Sequence, residues 1–212
     1  MKICTLCPRM CAVDRKSGER GICGQTTEIK VARAALHFWE EPCISGEMGS
    51  GAVFFSGCAL HCVFCQNENI ANGTAGKVIS TERLGKIFLE LQEKGANNIN
   101  LVTPGQFVPQ IIKAVELARN QNLKIPIVYN TSSYENVDTI RSLEGIVDIY
   151  LPDFKYFDTA LSAKYSHAPD YPAVAKAVIA EMVRQTGAAV FENGEDSLMK
   201  RGTIVRHLIL PG

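Results

Sequence analysis

Three cysteines in the middle of the sequence have a spacing that suits an iron–sulfur cluster. Cys58, Cys62 and Cys65 fall within eight residues, separated by three and then two positions. Three thiolates can ligate three corners of a four-iron cubane and leave one iron open, whereas ferredoxins supply four cysteines. An open coordination position is what a catalytic metal keeps and a structural metal fills. The spacing predicts a [4Fe–4S] cluster with a free iron; a zinc knuckle or three unrelated buried thiols is the alternative.

A second group of cysteines lies near the N-terminus. Cys4, Cys7, Cys11 and Cys23 occur within twenty residues, beginning with a C-x2-C pair. This pattern is compatible with tetrahedral zinc or with a second iron–sulfur cluster, and four unligated thiols are the alternative. The surrounding segment has little apolar periodicity, so a bound metal would replace the core that it lacks. Cys43 stands apart from both groups and is predicted to be a small buried apolar residue.

The composition restricts the classes of protein that fit the chain. The chain has 212 residues, 46% of them apolar, and its 22 basic and 22 acidic residues give no net charge. A neutral chain without charge runs argues against a nucleic-acid partner. The N-terminus has no apolar stretch of signal-peptide length, and no run is long enough to span a membrane. We therefore expect a cytoplasmic protein whose eight cysteines are metal ligands or catalytic groups rather than disulfides.

The elements that position the central cysteines follow a strand–helix alternation. The pattern predicts strands at 29–35, 52–56, 98–102, 125–129, 147–151 and 203–210, with helices at 80–94, 108–120, around 137–143 and at 171–186. The cysteine loop comes directly after the strand at 52–56. From there on, the alternation predicts an α/β fold with a parallel sheet and right-handed crossovers, either open or curled into a barrel. We expect a Cys-rich segment at 1–50 and the barrel at 51–212.

With this context, the C-x3-C-x2-C loop after the first barrel strand resembles the hallmark of the radical S-adenosylmethionine superfamily. Phe64, the aromatic residue before the third cysteine, is also typical of it. The resemblance is strongest to proteins like the pyruvate formate-lyase activating enzyme. Further stretches carry it: Cys7-Pro8-Arg9-x-Cys11, Gly21-Ile22-Cys23-Gly24, Glu40-Glu41-Pro42-Cys43-Ile44-Ser45-Gly46, Tyr129-Asn130-Thr131-Ser132, Asp153-Phe154-Lys155 and Arg206-His207-Leu208.

The resemblance implies roles for several polar residues near strand ends. S-Adenosylmethionine would be contacted by Lys155, Arg206 and Asn130. A monovalent cation would be held by Thr131 and Asp153. The family usually has a Gly-Gly-Glu motif after its second strand, where this chain has Thr103-Pro104-Gly105-Gln106. Backbone carbonyls, or the side-chain oxygen of Gln106, would accept a hydrogen bond from the cofactor's amino group there. Each of these residues has an alternative explanation. Lys155 could be a solvated charge, Asp153 a helix N-cap, and Arg206 a surface residue on an edge strand.

The resemblance also implies a reaction and partners. The expected activity is reductive cleavage of S-adenosylmethionine to a 5′-deoxyadenosyl radical that abstracts hydrogen, with a glycyl-radical enzyme or another protein or peptide as substrate. Reduced flavodoxin or ferredoxin would be the electron donor. We expect a partial (β/α) barrel that lacks a sixth unit and an oligomer that covers its open edge. A non-catalytic iron–sulfur electron-transfer protein or a metal-binding interaction protein is the alternative function.

Overall fold

A mixed, mostly parallel β-sheet forms the centre of the protein in a computed structural model, which describes residues 3–192 and 197–209. Its strands among these residues are Ile29–His37 (β1), Ser50–Phe55 (β2), Lys77–Ile79 (β3), Ile99–Val102 (β4), Ile127–Thr131 (β5), Ile149–Pro152 (β6), Val190–Phe191 (β7) and Met199–Thr203 (β8). These eight strands pair in the order β3-β1-β2-β4-β5-β6-β8-β7.

The parallel part of the sheet corresponds to the predicted α/β barrel core. β2, β4, β5, β6 and β8 pair in parallel, each with the next. β1 and β3 are added antiparallel on one side, and β7 is added antiparallel on the other. The arrangement is consistent with a partial barrel. β1 lies in the Cys-rich segment and pairs with β2, while the division into residues 1–50 and 51–212 stays a prediction.

Helices flank both faces of this sheet. They are Pro42–Ser45 (α1), Glu68–Ala71 (α2), Thr81–Glu93 (α3), Val108–Asn120 (α4), Val137–Arg141 (α5), Thr159–Ser166 (α6) and Tyr171–Thr186 (α7). α3 begins where the hydroxyl of Ser80 accepts the backbone N–H of Arg83 at 3.1 Å, which satisfies an otherwise unpaired donor. The predicted helices at 80–94, 108–120, 137–143 and 171–186 correspond to α3, α4, α5 and α7. Within the described part of the chain, no helix is long and apolar enough to cross a membrane.

Two of the predicted strands are displaced. The strand expected at 203–210 lies earlier, at Met199–Thr203, and afterwards only Arg206 forms an isolated bridge, to Asp153. Backbone hydrogen bonds to β6 nevertheless continue beyond β8, since the N–H groups of Ile204 and Arg206 donate to the carbonyls of Tyr150 and Pro152, both at 2.9 Å. The predicted strand therefore begins too late in the chain, and residue 210 lies outside the described residues. The strand expected at 125–129 begins at Ile127 because Pro126 has no N–H to donate to a ladder.

The two faces of the sheet are different in chemistry. Side chains such as Val53, Leu101 and Tyr129 pack with the helices in the large apolar core. Val128 and Ile149 point to the opposite, concave face and form a smaller cluster that α1 covers. Because side chains alternate along a strand, the residues two places beyond, including Asn130, continue this concave face toward the carboxyl ends of the strands. The concave face therefore changes from apolar to polar where the predicted site residues lie.

Candidate functional site

The loop that carries Cys58, Cys62 and Cys65 joins β2 to α2, at the carboxyl end of the first parallel strand. The backbone turns within it, where the N–H of Cys65 donates to the carbonyl of Cys62 at 3.1 Å. Phe64 packs edge-on against Tyr156 and Tyr165, with ring centroids 6.1 and 6.5 Å away. The aromatic residue before the third cysteine thus attaches the loop to the segment around α6.

The surroundings of the loop thiols disfavour a free thiolate. Burial raises the pKa of Cys58 to about 11 and also raises the pKa of Cys62. A positive centre would offset this penalty, because a metal stabilises the thiolate form. Among residues 3–192 and 197–209, no three Cys, His, Asp or Glu side chains surround one metal position. The cysteines of a cubane bind different irons, so a cluster does not require the thiols to meet at one point.

Four of the predicted cofactor and cation residues lie together beyond β5 and β6. The Arg206 guanidinium donates from Nε to Asp153 Oδ1 at 2.8 Å and from Nη2 to Asn130 Oδ1 at 2.7 Å. Lys155 Nζ donates to Asp153 Oδ2 at 2.6 Å. Adjacent parallel strands explain the grouping, since Asn130 pairs with Leu151 two residues before Asp153. The result is a half-buried cluster of two cations around one carboxylate.

Two acidic residues to which the sequence analysis gave no role join this cluster. Arg206 Nη1 lies 3.5 Å from Glu40 Oε2 and 3.6 Å from Glu41 Oε1. Burial raises the pKa of Glu40, while the nearby Arg206 lowers it. The only sequence signal was the adjacent acidic pair before Pro42. Protein carboxylates therefore hold the arginine that the resemblance assigns to the cofactor, and a cofactor carboxylate would have to share it with them.

The structure does not bring Thr131 and Asp153 onto a common cation position. The Thr131 hydroxyl donates to Glu135 Oε1 at 2.8 Å, whereas both carboxylate oxygens of Asp153 accept from Arg206 and Lys155. The two side chains serve different hydrogen-bond networks. The monovalent cation stays a prediction.

Gln106 is turned toward the cysteine loop. Its side-chain nitrogen lies 2.9 Å from the carbonyl of Ser56 and 3.0 Å from that of Gly57, both directly before Cys58. The same nitrogen lies 2.9 Å from the carbonyl of Thr103. These contacts position the end of β2. A role of its side-chain oxygen in cofactor binding stays a prediction.

The N-terminal cysteines lie against the same region. Cys4, Cys7, Cys11 and Cys23 line one cavity, which Cys58 and Glu135 also line. A short hairpin holds the first of them, because the N–H of Cys4 donates to the carbonyl of Val13 at 2.9 Å. Burial raises the pKa of Cys7 to about 12. Cys43 packs against the apolar cluster under the concave face, away from this cavity.

Glu135 is a buried carboxyl group at this cavity that the sequence analysis did not identify. Its Oε1 accepts hydrogen bonds from the hydroxyls of Tyr129 at 3.2 Å and Thr131 at 2.8 Å. Burial nevertheless raises its pKa from an ordinary 4.5 to about 7. Its position close behind the Tyr129-Asn130-Thr131-Ser132 stretch was the only available signal.

The raised pKa of Glu135 gives the stability of the protein a pH dependence. The folded state binds this proton more tightly than the unfolded state, so its contribution is complete below about pH 4.5 and declines as the pH rises through about 7. We expect Glu135→Gln to gain stability relative to the wild type between about pH 5 and about pH 8, because the amide cannot ionise. Urea denaturation across this range measures the difference. Equal slopes in the wild type and Glu135→Gln would contradict it; Glu116→Gln, at an exposed position of α4, is the control.

The mostly parallel sheet, the cysteine loop and the polar cluster beyond β6 define an α/β protein with a candidate iron–sulfur site. The Radical SAM superfamily model matches residues 52–185, more than half of the chain, and the chain belongs to this superfamily. The chain is also similar to Uncharacterized protein MJ0674 of Methanocaldococcus jannaschii, with 27% identity over 217 aligned residues that include 99% of the chain. The chain spans 57% of the length of that relative.

Membership of the superfamily implies a [4Fe–4S] cluster and S-adenosylmethionine as cofactors, and S-adenosylmethionine cleavage as the general chemistry. The cysteine loop fits this requirement, since it follows β2 and presents three half-buried thiols that form no disulfide. The matched range contains all three cysteines of the loop, and it ends before Arg206. The assignment to an activating-enzyme branch is not part of this finding.

Proposed function

We propose that Cys58, Cys62 and Cys65 hold a [4Fe–4S] cluster at which the protein reductively cleaves S-adenosylmethionine. The cluster supplies one electron to the sulfonium and so yields methionine and a 5′-deoxyadenosyl radical, which takes a hydrogen atom from a substrate. The observation that carries the proposal is the position of the C-x3-C-x2-C loop within the family match and beside the polar cluster at the strand ends. The chemistry belongs to the cofactors, and the protein orients them.

The residues at the strand ends give the protein its part in this reaction. Asp153 accepts hydrogen bonds from Lys155 and Arg206 and so fixes the position of both side chains. Their remaining N–H groups can donate to an anionic group of the cofactor. Gln106 and the packing of Phe64 hold both ends of the cysteine loop in place. In the proposal, Lys155 and Arg206 orient the cofactor's carboxylate, Asn130 supports Arg206, and the loop sets the distance to the cluster.

The proposal also names a class of substrate and an electron donor. A glycyl-radical protein or another peptide is the proposed substrate, and a reduced flavodoxin or ferredoxin is the proposed one-electron donor. Support comes from the resemblance of the Asp153-Phe154-Lys155 stretch to activating enzymes, together with the position of Lys155 beside the cluster loop, where burial raises the pKa of Cys62 and the lysine charge partly opposes this rise. Deuterium transfer from labelled candidate peptides into 5′-deoxyadenosine would identify the substrate.

Anaerobic turnover tests the central proposal. The reconstituted protein is reduced with dithionite, mixed with S-adenosylmethionine and analysed for 5′-deoxyadenosine. We expect product from the wild type and, for Cys62→Ala, loss of product and of the part of the visible absorbance that this cluster contributes, because three thiolates are needed to hold the cubane. Cys43→Ala is the matched control, since this cysteine lies outside both groups and should leave product formation intact. A stable cluster without product in the wild type would identify a non-catalytic iron–sulfur protein instead.

A further inference from the structure

The four N-terminal cysteines are a second set of thiols that the proposed reaction does not use. Although they are spread over twenty residues of sequence, they line a single cavity. Gly21 makes room for one of them, because a Cβ at this position would lie 2.7 Å from Cys11 Sγ. The fold therefore brings the beginning and the end of this segment together, and their cysteine side chains line the same cavity.

Two positively charged side chains lie beside this cavity without an anionic partner. Arg15 is 5% exposed and donates to the carbonyls of Gln25 at 3.1 Å and Gln106 at 2.7 Å. Arg9, between Cys7 and Cys11, donates to the carbonyls of Ala59 and Ser166, both at 2.8 Å. In residues 3–192 and 197–209, no carboxylate forms an ion pair with either guanidinium.

A buried cation whose partners are all neutral is costly unless an anion is nearby, and the rings of Tyr134 and Phe107 that face Arg9 and Arg15 carry no net charge. Arg15 Nη1 lies 4.0 Å from Cys4 Sγ, so an anionic sulfur would be its neighbour. A metal centre ligated by four thiolates carries net negative charge and would supply this anion. The one carboxyl group at the cavity, Glu135, is instead hydrogen-bonded to Tyr129 and Thr131.

The arrangement of the thiols distinguishes between the two metals that their spacing allows. A single zinc holds four sulfurs at about 2.3 Å, so the thiols must converge on one point. Among the described residues, no three candidate ligands converge in this way, although all four cysteines face the cavity. The three cysteines of the radical loop do not converge on one metal position either, although the proposed function places a four-iron cluster on them. We therefore assign the same type of cluster to the N-terminal thiols.

We propose that Cys4, Cys7, Cys11 and Cys23 bind a second, fully ligated four-iron cluster next to the radical cluster. Cys58, the first ligand of the radical cluster, lines the same cavity, so the two centres lie side by side. Four cysteines leave no iron open, and this second cluster does not bind S-adenosylmethionine. The proposal does not depend on turnover at the radical loop.

Metal analysis of a variant without the radical cluster tests the proposal. The full chain carrying Cys58→Ala, Cys62→Ala and Cys65→Ala is reconstituted anaerobically with iron and sulfide in the presence of equimolar zinc. We expect about four irons and about four sulfides per chain, against about eight of each in the wild type. The electron paramagnetic resonance signal of the reduced variant should not change when S-adenosylmethionine is added. One bound zinc, no bound metal or a signal that responds to S-adenosylmethionine would each overturn the proposal.

A double variant and its control test the N-terminal cluster in a chain whose radical loop is intact. Cys4→Ser with Cys7→Ser, in the otherwise unchanged chain, should reduce the iron content from about eight to about four atoms per chain. Cys43→Ser is the matched control and should keep the wild-type content. If the variant lacking Cys4 and Cys7 retains full iron while its circular dichroism is unchanged, the N-terminal thiols are not ligands.

Discussion

Gly57→Ala should remove most of the radical cluster and strongly destabilise the protein. Gly57 precedes Cys58 and has a φ of +85°, and a Cβ there would lie 2.3 Å from the carbonyl oxygen of Cys23. That oxygen belongs to the backbone, so a rotamer change cannot relieve the clash. The N-terminal segment or the cysteine loop must move. We expect a loss of about 3 kcal/mol, a Tm lower by about 10 °C and reduced iron content.

The control for this substitution is Gly145→Ala. Gly145 also has a positive φ, +77°, but an added Cβ would meet nothing within 4 Å. This variant reports the backbone strain alone, about 1 kcal/mol, with unchanged iron content. Thermal unfolding and iron analysis of both variants separate the two effects. If Gly57→Ala loses no more stability than Gly145→Ala and binds iron normally, the close approach of the N-terminal segment to the cluster loop is wrong.

The local parts of the site could be predicted from sequence because their chemistry depends on spacing. Cys58, Cys62 and Cys65 are neighbours in the chain, so their arrangement requires only that a strand ends before them. The roles predicted for Lys155 and Arg206 came from the resemblance of their sequence stretches to activating enzymes, and contact with the cofactor stays a prediction. The structure then places both cations on one carboxylate, Asp153.

Other parts of the site left no pattern to find. Gln106 acts through backbone carbonyls, which every residue has, so the sequence cannot show which of them it contacts. β8 contains Met199 and Arg201 on a strand that lies between β6 and β7, and its mixed side chains do not alternate clearly. Glu135 looks like any polar loop residue until its burial is known. These features depend on long-range contacts rather than on composition or period.

Arg9→Met should loosen the radical cluster loop without removing a ligand. The guanidinium of Arg9 donates to carbonyls of the cysteine loop and of the end of α6, across 50 and 157 residues of sequence, and lies 5.1 Å from the centre of the Tyr134 ring. Methionine keeps much of the apolar length but leaves these half-buried carbonyls unpaired, at a cost of about 3 kcal/mol. We expect at least about tenfold faster loss of iron to a chelator and a similar fall in 5′-deoxyadenosine formation.

Arg20→Met is the matched control for the role of Arg9. Arg20 is an exposed arginine of the same N-terminal segment, and it donates to one local carbonyl, that of Gly24, at 2.8 Å. An exposed local bond contributes little, so this variant should lose iron at the wild-type rate. Chelation kinetics followed by visible absorbance compare the three proteins directly. Equal rates for Arg9→Met and Arg20→Met would mean that the N-terminal segment does not stabilise the loop, whereas a selective effect of Arg9→Met would identify Arg9 as a positioning residue for the cluster.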